Sequence, residues 1–262
     1  MQLECLKEEP KSNKHPTPVL FVHGMWHGAW CWAEYFLPYF AQHGYVSYAL
    51  SLRGHGASEG QKRLRWTSLA DYVADVAHIV RQMDKPPILI GHSMGGMVVQ
   101  KYLESHESPS AVLLASVPPQ GLFAATLRIL RRDFFTFLKA NLTLSLYPII
   151  GTPTRCRELL FSANITDEKL SAYFAQMQDE SYRAYIDMII LNLPKPKRIK
   201  TPLLVLGATN DAAISVREVE VTAQVYGTQA EIFPEMAHDM MLESGWQMVA
   251  DRILAWLNER GL

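Results

Sequence analysis

Gly91-His92-Ser93-Met94-Gly95 sets a serine between two glycines, each two positions away. A G-x-S-x-G run suits a sharp strand-to-helix turn that lifts the hydroxyl into the open. The flanking residues must be small because side chains there would clash in so tight a turn. A serine hydroxyl is too weakly acidic to attack a carbonyl alone, so a neutral imidazole must take its proton and a third group must hold that imidazole. Nine histidines are available, and position selects among them. His238 lies in Glu235-Met-Ala-His-Asp239, after a short apolar run and before the final helical stretch. Asp211 lies in Gly207-Ala-Thr-Asn-Asp211, also just past an apolar run, with Asn210 as its neighbour and Asp239 beside His238. His92 adjoins the serine, and a side chain next to so sharp a turn points elsewhere; it is read as a packing or hydrogen-bonding residue.

The elements that must position these groups alternate short apolar runs, rich in β-branched and aromatic residues, with longer amphipathic stretches. That is the pattern of βαβ units in a largely parallel sheet. Strands are expected at Pro18–Val22, Tyr45–Leu52, Pro87–Ile90, Ala111–Ala115, Leu203–Leu206 and Ala230–Phe233. Thr67–Met83 carries Leu69, Tyr72, Val73, Val76, Ile79 and Val80 at helical spacing, with Thr67 or Ser68 as its cap. Trp246, Val249, Ile253, Trp256 and Leu257 mark one face of a last helix. Both catalytic loops then sit at the carboxyl end of the sheet, where ligands bind in open α/β folds. Between Pro118 and Thr201 the strand signal disappears, and helices are expected over Leu122–Leu142, Arg157–Phe161, Asp167–Gln178 and Ser181–Leu191. Residues 1–117 and 202–262 are therefore read as a core and 118–201 as an inserted helical cap. The Pro194-Lys-Pro-Lys-Arg198 segment is the connector back to the sheet, with prolines that preclude a helix.

On these motifs the sequence resembles the α/β-hydrolase superfamily from about Pro18 to the last helix. The resemblance implies a mostly parallel sheet with helices on both faces and a Ser93, Asp211, His238 triad in that chain order. It also implies an oxyanion hole made by the backbone N–H groups of Met25, in His23-Gly24-Met25, and Met94. His23 is read as a structural histidine of that turn. Leu52-Arg-Gly-His-Gly-Ala-Ser58 resembles the R-G-x-G-x-S loop of monoacylglycerol lipase and lysophospholipase relatives, and Trp26-His-Gly-Ala-Trp-Cys-Trp32 resembles the start of the plant methylesterase and hydroxynitrile lyase branch. A serine at the elbow argues against haloalkane dehalogenase or epoxide hydrolase chemistry. Ester hydrolysis through an acyl-enzyme leads; thioester or carbon–carbon bond cleavage, perhydrolysis, hydroxynitrile lysis and a slow-turnover ligand receptor use the same groups. No metal or organic cofactor is needed.

Composition narrows the partners. The 262 residues suit one large α/β domain. With 25 basic and 26 acidic residues the net charge is −1, so no global field draws the chain to nucleic acid. Cys5, Cys31 and Cys156 are odd in number and widely spaced, which suits a reducing cytoplasm. Met1–Lys14 is polar rather than an apolar signal core, disorder is not expected beyond the first dozen or so positions, and no uncharged apolar run of about 18 residues follows. A small-molecule ester is the expected partner, with peripheral lipid contact open and the oligomeric state undetermined. The aromatic content of the cap suits a hydrophobic ester, with Trp26, Phe134, Phe135, Tyr147 and Met236 as candidate pocket residues. Arg128, Arg131 and Arg132 are read as a solvated helix face.

Overall fold

The computed structural model describes residues 1–12 and 15–262; Asn13 and Lys14, the end of the polar opening stretch, lie outside them. Seven strands form one sheet: β1 (Cys5–Glu8), β2 (Val19–Val22), β3 (Ser47–Leu50), β4 (Ile88–His92), β5 (Ala111–Leu114), β6 (Leu203–Ala208) and β7 (Ala230–Phe233), in the order β1-β3-β2-β4-β5-β6-β7. All neighbours are parallel except β1, which runs antiparallel to β3 in the register Cys5↔Leu50. Strands β2, β4, β5 and β6 are buried along their whole length. Central parallel strands covered on both faces explain why their sequences read as continuous apolar runs.

Strand β1 is not among the expected strands. Its sequence, Cys-Leu-Lys-Glu, carries two charges and has no strong strand signal, but an edge strand needs only one paired side and tolerates charge. Two short helices after β2, α1 (Trp30–Ala33) and α2 (Phe36–Gln42), also escape the periodicity because each is too brief to show a stripe. The expected amphipathic helix is α3 (Leu69–Val80), and Ser68 rather than Thr67 caps it: Ser68 accepts from the Asp71 N–H while the Asp71 carboxylate accepts from the Ser68 N–H. Helix α4 (Met94–Tyr102) leaves the end of β4 directly.

Between β5 and β6 the described residues contain helices only: α5 (Phe123–Arg132), α6 (Phe134–Thr143), α7 (Pro153–Leu160), α8 (Asp167–Phe174) and α9 (Tyr182–Ile186), the last continuing into a π-helical turn at Asp187–Leu191. The expected single helix over Leu122–Leu142 is split at Asp133. Its carboxylate accepts from the Thr136 N–H and starts a second helix, a local competition with helix continuation that hydrophobic spacing does not register. The Pro-rich connector forms one 3₁₀ turn at Pro196–Arg198. Helix α10 (Val216–Val225) and the expected terminal helix, α11 (Trp246–Asn258), complete the fold.

The helical insertion is bound to the sheet domain by several buried or half-buried contacts. Glu180 accepts from Tyr72 Oη at 2.7 Å and pairs with His55 Nε2 at 3.1 Å. Glu243 accepts from the backbone N–H and hydroxyl of Ser162. Arg128 pairs with Glu218 at 2.6 Å, a partner on a distant element that one helix's sequence cannot show, whereas Arg131 and Arg132 stay exposed as expected, Arg132 pairing with Glu158 inside the insertion.

Candidate active site

Three strand ends converge on one point. Strand β4 ends at His92, and Ser93 turns the chain into α4 with φ 51° and ψ −117°, a conformation that a residue bearing a side chain adopts only under constraint. The constraint is visible in the glycines: a Cβ on Gly95 would lie 2.2 Å from the carbonyl oxygen of Val22, so α4 could not pack this closely against β2. The Ser93 N–H donates to the carbonyl of Leu114 on β5, pinning the turn.

The loop after β7 brings His238 Nε2 within 2.9 Å of Ser93 Oγ, and the loop after β6 brings Asp211 Oδ2 within 2.8 Å of His238 Nδ1. The other Asp211 oxygen accepts from the N–H groups of Ala213 and Ile214, both at 2.8 Å, which holds the carboxylate in place beside its imidazole partner. All three residues chosen from the sequence therefore meet, in a setting nearly closed to solvent: Ser93 is 7% exposed and His238 3%. Burial by itself lowers the proton affinity of His238. The charge and hydrogen bond of Asp211, with Asp239 behind it, outweigh burial and hold the imidazole above the ordinary histidine value.

The His23-Gly24-Met25 turn lies against the elbow. A Cβ on Gly24 would stand 2.7 Å from His92 Nδ1 and 2.9 Å from Ser93 Cβ, so only glycine lets the turn approach. Met94 is the first residue of α4, where N–H groups have no intrahelical acceptor and remain free to bind an anion. The Met94 and Met25 side chains are buried in the core. His23 is structural, as its place in the turn suggests: its Nε2 accepts from the Leu52 N–H at 3.0 Å, so its proton sits on Nδ1 and is donated to the Gly24 carbonyl at 2.8 Å. Burial, then the neighbouring His55, keep it neutral well below the ordinary histidine value.

Other expected residues divide between structural support, as expected for the Arg53–Ser58 loop, and the surface. Arg53 spans Asp71 and Asp75 on α3 and Ser58 donates to the Ser51 carbonyl, so the Arg53–Ser58 loop is tied down rather than presented to a ligand. Trp26 and Met236 are buried near the catalytic loops: Trp26 follows Met25 with φ 66°, and the Met236 carbonyl accepts from the Asn210 N–H beside Asp211. Tyr147 is half-buried against Phe174. Phe134 and Phe135 are 55% and 79% exposed on the outer side of α6 and do not line an interior pocket; an aromatic pair without a partner helix stays at the surface whatever its hydrophobicity. A hollow lined by Ile129, Arg132, Asp133, Ile149, Arg155 and Leu159 lies within the insertion and includes no triad residue.

One neighbour of the base, His27, was not singled out by sequence, and another, His92, forms a hydrogen bond as its packing or hydrogen-bonding reading implied. His27 Nε2 lies 3.0 Å from Asp239 Oδ2, and His92 Nε2 donates to the carbonyl of His238 at 3.0 Å. His27 belongs to the Trp26–Trp32 motif, and Asp239 directly follows the base, which were the available signals. His92, His238 and Asp239 place donor atoms within 4.8 Å of one another. Both ring nitrogens of His238 are already engaged by Ser93 and Asp211, so the cluster is arranged as support for the base rather than as a metal cradle.

Comparison with known proteins follows the same lines. A family model described as Alpha/beta hydrolase family matches residues 19–252. The chain is 37% identical over 106 residues to a non-heme chloroperoxidase of Streptomyces lividans, a match covering 39% of this chain and only 37% of that relative. It is 23% identical over 246 residues to a monoacylglycerol lipase of Mycolicibacterium smegmatis, covering 83% and 80% of the two chains. Its structure is similar to an esterase from Exiguobacterium antarcticum, with TM-score 0.74 and 18% identity over 98% of this chain and 95% of that one.

Proposed function

Since this chain belongs to the alpha/beta hydrolase family, we propose that it cleaves a carboxylic ester with a hydrophobic portion through an acyl-enzyme on Ser93. The observation that carries this reading is the unbroken line Ser93 Oγ to His238 Nε2 at 2.9 Å and His238 Nδ1 to Asp211 Oδ2 at 2.8 Å. A hydroxyl on a neutral imidazole, itself oriented by a buried carboxylate, is equipped for nucleophilic attack.

His238 takes the Ser93 proton as Oγ adds to the ester carbonyl. The developing oxyanion accepts from the Met25 and Met94 N–H groups, each worth roughly 3 kcal/mol to the transition state. Collapse of the tetrahedral intermediate expels the alcohol, which receives the proton from His238. The imidazole then deprotonates water to release the acid and restore Ser93. No residue in this cycle calls on a metal or organic cofactor.

Residues 118–201 act in this reading as a cap over the site. Trp30, Tyr173 and Phe161 stack in sequence with ring centroids 6.3 and 6.0 Å apart, joining α1 to the insertion. The aromatic character of this junction, where Tyr173 and Phe161 are buried, supports an apolar acyl or alcohol group. No helix among the described residues is long and apolar enough to cross a membrane, and Cys5, Cys31 and Cys156 are free, which fits the cytoplasm as the site of action. Perhydrolysis is a second reading, favoured by the likeness to the Streptomyces chloroperoxidase; in it hydrogen peroxide replaces water in attacking the acyl-enzyme.

Hydrolysis of p-nitrophenyl esters of increasing acyl length, by the wild type and by Ser93→Ala, tests the proposal. Turnover by the wild type alone supports it, with the preferred length reporting the pocket; equal rates for the two proteins would refute it.

A further inference from the structure

The Met25 peptide is held from both sides by buried histidines, and one of them reaches across to the loop of the catalytic base. In a trans peptide the C=O and the following N–H point in opposite directions. The hydrogen bond from His23 Nδ1 to the Gly24 carbonyl therefore sets the plane that carries the Met25 N–H. The next plane is set by His27, whose Nδ1 donates to the Met25 carbonyl at 2.6 Å. Trp26, at the junction, has φ 66°, a left-handed conformation that a tryptophan keeps only when its surroundings impose it.

The far side of His27 meets Asp239, and both side chains are 1% exposed or less. Each nitrogen of His27 faces an oxygen that only accepts: the Met25 carbonyl and the Asp239 carboxylate. The ring therefore bridges the Met25 carbonyl and the Asp239 carboxylate in a buried pair that joins the two loops. Asp239 is suited to its half. Burial alone would raise its carboxyl, but the charge and hydrogen bond of His27, followed by His92 and His238, hold it below the usual carboxylate range. The Asp239 backbone N–H donates to the Leu160 carbonyl, and the preceding carbonyl, of His238, accepts from His92.

We propose that the His27–Asp239 pair is a positioning strut that locks the oxyanion loop to the loop of the catalytic histidine, so that the Met25 N–H and His238 Nε2 keep a fixed separation across Ser93. The inference rests on the ester-hydrolase reading, because only an oxyanion gives the Met25 N–H its task. A strut of this kind acts on the transition state and leaves ground-state binding alone.

The test compares wild type, His27→Gln, Asp239→Asn and the double variant with p-nitrophenyl butyrate. Rates are taken per Ser93 titrated by fluorophosphonate, and the inhibition constant of a trifluoromethyl ketone, whose tetrahedral adduct places an oxyanion beside Ser93, is measured in parallel. Asp239→Asn keeps the shape and an acceptor oxygen, and titration removes any unfolded fraction from the rate. The strut predicts a fall in kcat of about 10- to 100-fold in each single variant with KM within about twofold. The ketone constant should weaken in step with kcat, and the double variant should be little worse than either single one. An unchanged kcat per titrated site, or a KM that rises while ketone binding holds, would overturn the strut. Ser93→Ala separates the two levels of the proposal: if it hydrolyses the ester as wild type does, the ester-hydrolase reading itself has failed. If it is inert while the His27 and Asp239 variants match wild type, the strut alone has failed.

Discussion

Asp211 spends one oxygen on His238 and the other on two backbone N–H groups, so its role is orientation as much as charge. Replacing it with asparagine keeps the size but presents an amide that can donate to Nδ1 and favour the wrong tautomer. Asp211→Asn should lower kcat by about 10³- to 10⁴-fold with the fold intact. It should also shift the pH profile in a direction that follows from the electrostatics. Only neutral His238 accepts the serine proton, and Asp211 holds its affinity above the ordinary value of 6.5. The acid limb of kcat/KM should therefore lie above 6.5 in the wild type and move to lower pH in the residual activity of the variant; an acid limb that stays put would show that Asp211 does not set the titration. At this scale the triad was legible because each member sits just past an apolar run. His27 was not, because nothing in its own neighbourhood reveals that Asp239, 212 positions later, completes its hydrogen bonding.

Elements do the positioning, and their legibility followed burial and length. Strands β2, β4, β5 and β6 read correctly because parallel central strands are apolar on both faces, and α3 read correctly because twelve residues display a full stripe. Strand β1, the short α1 and α2 and the break at Asp133 were lost because an edge strand, two brief helices and a side-chain cap leave little periodic trace. The Phe134 and Phe135 assignment failed for a related reason: composition says that a helix is greasy, and only packing says which way it faces. Helix α3 offers a clean separation of stability from chemistry. Its capping box at Ser68 and Asp71 lies on a buttress that holds Arg53 through Asp71 and Asp75, away from the triad. Ser68→Ala should cost about 1 kcal/mol in urea unfolding while kcat stays within about twofold. A large loss of kcat at unchanged stability would tie α3 to the chemistry.

The whole molecule encloses an unusual number of histidines, and they give its stability a pH dependence whose sign can be worked out. His92 is pushed down to about 3, first by burial and then by the nearby His238, and His23 is also held well below 6.5. Groups with folded values below their unfolded ones cost stability as the pH falls through 6.5, because the unfolded chain binds protons that the native state refuses. His55 and His238 are shifted the other way; for His55 the charge and hydrogen bond of Glu180 outweigh burial. Their contribution is fully present below 6.5 and is lost as pH rises through their folded values, so it does not offset the further loss in acid. From pH 7 to pH 5 each neutral buried histidine should remove about 2 kcal/mol of stability. His92→Gln should therefore flatten the pH dependence of the urea midpoint relative to wild type, and parallel curves would contradict this assignment.

The central claim, that Ser93 becomes acylated under control of His238 and Asp211, is tested most directly by rapid acid quench of the enzyme mixed with p-nitrophenyl butyrate, followed by proteolytic digestion and peptide mass spectrometry. One butyryl group on the peptide containing Ser93 is predicted, formed in a burst by wild type, accumulating slowly in Asp211→Asn and absent in Ser93→Ala. Ester turnover with no acyl group ever found on that peptide would contradict the account.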